Sequence, residues 1–218
     1  MSGPKLVGRN TAGNLYGLTT LCPIVIGTPP DEDRSYESCL RATLAALPDH
    51  EDCFFAAVPN TYLARFYILK DVFYESRPAR KEHLKSQYLV FTSDFHGGLR
   101  DYLHGMWHHA ESDVRAIWRH CVAFSEVSDA DSFIAYIERC QLTNNVLFNG
   151  STDQPLAEQL KGLYLKQRFG AFVAEHQGVA PAALKRAFTE FVESVRIDDL
   201  SAPTWRPGAS TLDSVEVH

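Results

Sequence analysis

Between Asn14 and Ile26 the chain reads NLYGLTTLCPIVI, and in its first half Leu15, Gly17 and Thr19 alternate with Tyr16, Leu18 and Thr20. A period of two, carried by Thr, Tyr, Val and Ile, predicts a first β-strand. Thr28-Pro29-Pro30 and the acidic Asp31 to Asp33 end it. From Ser35 to Leu47 the spacing becomes three and four: Tyr36, Leu40, Leu44 and Leu47 share one helical face, Ser35 is the expected N-cap, and Pro48 stops the helix. Thr61 to Leu69, TYLARFYIL, predicts a second strand with Leu63, Arg65, Tyr67 and Leu69 on one face and Tyr62, Ala64, Phe66 and Ile68 on the other. A polar loop over Asp71 to Ser86 leads to a third strand, Gln87 to Phe95, expected to pair with the second.

Gly97-Gly98 then permits a turn into a helix, where Leu99, Leu103, Met106 and Trp107 form a stripe. Val114, Ile117 and Trp118 form another after a break near Ser112-Asp113, and Cys121 to Val127 reads as a fourth strand. Residues 14–127 therefore run β-α-β-β-α-β, an α+β, ferredoxin-like order built on an antiparallel sheet. Residues 128–200 read as a mostly helical extension, or a degenerate second α/β unit packed on the first. Helices are expected over Asp131–Cys140, Gln154–His176 and Pro181–Val195, with Gly178 closing the second. Residues 1–13 are expected to be a flexible N-terminus and 201–218 a loose tail.

Composition narrows the function. Among 218 residues, 45% are hydrophobic and 22% charged, which suits a folded globular chain. The net charge of -6 and the lack of a Lys/Arg stripe argue against a nucleic-acid partner. No apolar run approaches the roughly 18 residues of a membrane span, and Met1 to Asn10 has no signal-type apolar segment. Five cysteines with no C-x-x-C pair argue against a disulfide framework or structural zinc. The expected location is cytoplasmic.

Four stretches carry a resemblance: LTTLCPI (18–24), ARFYIL (64–69), YLVFTSDFHGGLRDYL (88–103) and AIWRHC (116–121). In order and spacing they resemble a widespread bacterial family grouped with the dimeric α+β-barrel proteins and loosely termed peroxidase-like. The likeness spans about residues 15 to 175. It implies a homodimer and an oxidoreductase-like small-molecule enzyme, haem-dependent or cofactor-free. The chain departs from that pattern at Tyr62, where the family usually has His. It also departs at Asp94 and His96, usually Asn and Asp, and at Phe124-Ser125-Glu126, usually Gly-Tyr-Pro.

Three residues are the candidates for chemistry. Arg65 stands mid-strand among apolar residues, where a charge needs a ligand such as a carboxylate or haem propionate, or an ion pair with Asp94. Asp94, closing the third strand, is a general base or a helix cap. His120 is a proton carrier, a haem ligand or a helix-end histidine. His104 and His108, four apart, give a weak metal pattern without an H-E-x-x-H, and no metal site is expected. The leading expectation is an oxidoreductase-like enzyme with its pocket between sheet and helices, Arg65 and His120 being the residues for haem. The alternatives are a non-catalytic ligand-binding or interaction protein and a biosynthetic cyclase.

Overall fold

The computed structural model describes residues 10–72 and 83–206. Residues 73–82 of the expected loop, 1–9 of the N-terminus and 207–218 of the tail lie outside the described residues. The elements in chain order are β1 (Thr11–Ala12), β2 (Leu15–Pro23), α1 (Tyr36–Ala45), β3 (Thr61–Leu69), β4 (Tyr88–His96), α2 (Leu99–Trp118), α3 (Ala130–Cys140), α4 (Leu156–Glu175) and α5 (Pro181–Val195). The sheet is open, four-stranded and antiparallel, in the order β1-β2-β4-β3. The fold class is thus α+β. β4 lies between β2 and β3, so β2 and β3 run parallel with an antiparallel strand inserted.

One face of the sheet is buried under helices. Leu18 and Cys22 from β2 and Leu89, Phe91 and Phe95 from β4 pack against Leu40 of α1, Leu103, Met106, Ile117 and Trp118 of α2, and Phe133, Ile134 and Ile137 of α3. Trp118 meets Phe91 edge-on at 5.4 Å, the geometry the ring quadrupoles prefer. Each such large side chain contributes about 1.5–3 kcal/mol by leaving water. The space expected to hold a pocket, between sheet and helices, is therefore packed core. The second face carries Leu15, Gly17, Thr19 and Leu21 of β2, Val90, Thr92 and Asp94 of β4, and Leu63, Arg65 and Tyr67 of β3.

The expected fourth strand does not form. Cys121 makes a single bridge to Ile24, and Val122 N–H donates to the Pro23 carbonyl at 2.8 Å. Ala123 then turns the chain at φ 61, and Phe124–Glu126 is a 3-10 turn. The outer edge of β2 is instead closed piecewise, by β1, by Cys121-Val122, and by Gln141-Leu142, whose Leu142 N–H donates to the Thr19 carbonyl. The β1–β2 turn draws Asn10 to Gly13 into the sheet, against the expectation of a flexible stretch. The break expected near Ser112-Asp113 falls at Ala110, where one helix kinks (φ -142, ψ 33).

α4 and α5 form an antiparallel pair that packs mainly on itself. Gly178 turns between them at φ 74, and Pro181 opens α5 at its first position, where its missing N–H costs nothing. The buried Lys161 ammonium donates to the Val195 carbonyl (2.8 Å) at the end of α5 and to the Pro203 carbonyl (2.9 Å). A cation there complements the helix dipole. Pro203 to Trp205, expected to be loose tail, are half-buried beside it.

Candidate functional site

The segment after α3 returns over the second face of the sheet as a strap, residues 144–155. It is held at both ends. Asn144 donates to the Gly17 carbonyl (3.2 Å), and the Asp153 carboxylate accepts from Asn14 N–H (2.9 Å) in the β1–β2 turn. That turn needs Gly13, which has φ 65 and whose Cβ, if present, would collide with the Asp153 carboxylate. Beneath the strap, Gly17 leaves the space that Leu147 fills: a Cβ there would stand 2.9 Å from Leu147 Cδ1.

Between strap and sheet lies a cavity of about 360 Å³, with Asp94 and Leu15 on its floor, Leu63 and Tyr62 at one side, and Leu147 and Leu156 above. The α4 residue Gln159 also reaches it. Asp94 pairs across the sheet with Gly17 on one side and Leu63 on the other. Its carboxylate is half-buried, and among the described residues it has no hydrogen bond and no ion pair. Burial lifts its pKa above the ordinary carboxylate range, and the Arg65 charge partly opposes this.

Tyr62 reaches this cleft because of a bulge. Strict alternation assigns it to the core face with Ala64 and Phe66. The register slips between Thr61 and Leu63, so Tyr62 has no partner on β4. Its hydroxyl donates to the Gln154 carbonyl of the strap (2.5 Å) and lies 3.2 Å from His96 Nδ1. A phenol has one proton to give, so the His96 contact is an Nδ1–H donating to the Tyr62 oxygen. That leaves His96 Nε2 as an acceptor when the ring is neutral. Burial raises the Tyr62 pKa, the nearby Asp153 carboxylate adds to it, and Gln159 opposes it.

The three residues expected to carry chemistry are not brought together. Arg65 shares a face with Asp94, in keeping with the strand period, but it is exposed and not buried. Its Nε donates to Thr92 Oγ1 (2.9 Å), and no ion pair joins it to Asp94. His120 lies past the end of α2 at the far edge of the sheet, where its carbonyl accepts from Val25 N–H. Burial lowers the His120 pKa, with the Arg119 charge adding and Glu32 opposing. The depression beside it, about 230 Å³, is lined by Asp31, Glu32, Tyr36 and Arg119. These residues do not fit haem. His120 is buried with its Nε2 already accepting from Arg119 Nε (3.4 Å), while Arg65 lies exposed on the second face of the sheet, so no open iron ligand shares a cavity with Arg65. His104, His108 and His109 are exposed on α2.

Sequence spacing also hides a group of thiols. Cys22, Cys121 and Cys140 meet around the Tyr136 hydroxyl, because the edge bridges of β2 bring the ends of α2 and α3 to one place. A hydrogen bond with Cys140 raises the Cys22 thiol and burial pushes Cys121 to about 12, so neither is a nucleophile near neutral pH. The chain matches no family model, no curated protein and no solved structure.

Proposed function

We propose that the chain is a small-molecule enzyme that works by proton transfer at Asp94, in the cleft between the sheet and the 144–155 strap. The observation that carries this reading is a half-buried carboxylate, without a hydrogen bond or ion pair among the described residues, on the floor of a largely apolar cavity. A structural aspartate is normally paired, and a carboxylate whose pKa burial raises is a stronger base than an ordinary one. Apolar walls with a few polar groups are what a small organic ligand needs. Asp94 accepts an acidic proton from such a ligand, and Gln159 orients it. Cofactor-free oxygenation and ring closure both begin with this step, so the expected oxidoreductase and cyclase readings meet at Asp94.

The inserted antiparallel strand between β2 and β3 supports a ferredoxin-like unit whose fourth-strand place is taken by edge bridges. Five free cysteines support a cytoplasmic location. The bonding of Tyr62 favours a non-catalytic ligand-binding protein as the second reading. Tyr62, which stands where the family that the chain resembles usually has His, commits its proton to the strap and has none for a ligand.

The test has two parts. Native mass spectrometry of the freshly purified protein identifies any co-purifying ligand. Exchange of acidic C–H for C–D in D2O is then followed by NMR for that ligand and for a panel of apolar carbon acids. Wild type should accelerate exchange, and Asp94→Asn should lower it by about 10²-fold or more while retaining ligand. Equal exchange in the two proteins would remove Asp94 from the reaction. Binding without exchange in wild type would favour the second reading.

A further inference from the structure

Cys22 stands midway between two edge bridges of β2. Thr20, two residues before it, bridges Gln141, and Ile24, two residues after it, bridges Cys121. Thr20, Cys22 and Ile24 all face the core, as the period of two requires. The first bridge therefore sets Cys140, the last residue of α3, beside Cys22, and the second brings Cys121 to the other side.

The three thiols are not equivalent. Cys22 and Cys121 are buried, whereas Cys140 is half-buried and reaches solvent. Cys22 donates its S–H to Cys140, and this bond is the largest influence on both. Cys121 meets Cys140 through charge alone and has its hydrogen bond with Tyr136. The Tyr136 hydroxyl, buried among the three, lacks a well-formed hydrogen bond among the described residues. Such a donor needs a better acceptor than a neutral thiol, and a thiolate is one. The Cys22 bond, the Tyr136 hydroxyl and the Arg139 charge together hold the Cys140 thiol below its ordinary value, against burial. The carbonyl end of α3 disfavours an anion, so a thiolate at Cys140 rests on these three neighbours.

We propose that Cys140 and Cys22 are an oxidisable thiol pair, Cys140 attacking hydrogen peroxide and Cys22 resolving the product as a disulfide. The Cys140 sulfur forms a bond to one peroxide oxygen, the O–O bond breaks, and the departing hydroxide takes a proton and leaves as water. Cys140 is then a sulfenic acid. The Cys22 sulfur next attacks the Cys140 sulfur. The S–S bond forms, the S–O bond breaks, and the hydroxide leaves with the Cys22 proton as a second water. Two thiols are oxidised and one peroxide is reduced. The bond joins the end of α3 to β2, where one bridge and the Leu142 N–H otherwise hold the chain. It lies on the core face of the sheet, opposite Asp94, and does not depend on the chemistry of that cleft.

Peptide mapping of the full chain tests the assignment. Trypsin cuts after Arg34, Arg119 and Arg139, so Cys22, Cys121 and Cys140 fall on separate peptides. The native protein is treated with a small excess of hydrogen peroxide, its remaining thiols are blocked, and it is then unfolded and digested without reductant. Mass spectrometry should find the Cys22 and Cys140 peptides joined with the loss of two hydrogens, and dithiothreitol should separate them. Cys53, also half-buried, on the turn between α1 and β3, is the internal reference, and Cys140 should be oxidised several-fold faster. Cys22→Ala should leave Cys140 as a sulfenic acid that dimedone traps, and Cys140→Ser should leave Cys22 unoxidised. Near-ultraviolet circular dichroism confirms that both variants keep the packed core. Oxidation of Cys140 in wild type no faster than that of Cys53 would overturn the proposal. So would a Cys121–Cys140 link in place of the Cys22–Cys140 one.

Discussion

Replacing Tyr62 by Phe should loosen the strap without disturbing the core. The hydroxyl donates to the Gln154 carbonyl at 2.5 Å and receives the His96 Nδ1–H at 3.2 Å, while the ring itself stays in place. A net contribution of about 0.5–1.5 kcal/mol per hydrogen bond, in a half-buried setting, puts the loss at about 1–2 kcal/mol. The Asp153 clamp on Asn14 and the Asn144 bond to Gly17 remain, so the cost falls on local opening and not on global unfolding. About 1–2 kcal/mol corresponds to a roughly 5–30-fold larger open population. Hydrogen–deuterium exchange over residues 146–155 should speed up by that factor while the amides of β4 keep their protection. Opening also admits water to Asp94, so its pKa should move back toward 3.8, as followed by carboxyl carbon NMR. Unchanged strap exchange together with an unmoved Asp94 titration would refute the claim that Tyr62 holds the cleft closed.

Two further outcomes concern stability. Burial makes the folded protein hold the Asp94 proton more tightly than the unfolded chain does, so stability linked to this group falls as pH rises from 3.8 through the raised folded value. Asp94→Asn should therefore melt higher than wild type at pH 7 and lose that advantage below pH 3.8, as read by thermal denaturation; a lower melting point at pH 7 would mean that Asp94 has a stabilising partner. Lys161→Met leaves the Val195 and Pro203 carbonyls without their donor and should cost about 1–3 kcal/mol in chemical denaturation. A neutral result would show that burying the ammonium costs as much as its bonds return.

Elements that obey a regular period are legible in the sequence. β3 spans Thr61–Leu69 and α5 spans Pro181–Val195, as the spacing predicts, and Ser35 caps α1 by accepting from Ser38 N–H. The misreadings have local causes. Residues 121–127 look like a strand because they open on the short apolar run Cys121-Val122-Ala123-Phe124, but Ala123 adopts a left-handed backbone that alanine rarely takes and nothing in the pattern marks. The bulge at Tyr62 is equally silent, with no Gly or Pro to signal it, and it moves that side chain to the opposite face. For Arg65 the strand period gives the right face but not the burial, because both faces of β3 carry large apolar side chains and alternation cannot say which one the helices cover. The cleft itself depends on Asp153 meeting Asn14, a contact between residues 139 apart, which no local pattern encodes.

β3 is the outermost strand on its side, and among the described residues no strand pairs beyond it. Its sequence, TYLARFYIL, is nine residues rich in β-formers, with Leu63 and Tyr67 about half exposed. Such a segment at a free edge is a template for strand-to-strand stacking between molecules. Arg65 is its only charge and sits at its centre, solvated and tethered to Thr92. A strand that added to this edge from a second molecule, in register, would bring two guanidinium groups face to face. Arg65, whose place on the strand suggests a clamp for a ligand, is thus the one position on this edge at which in-register stacking of two copies would meet like charge.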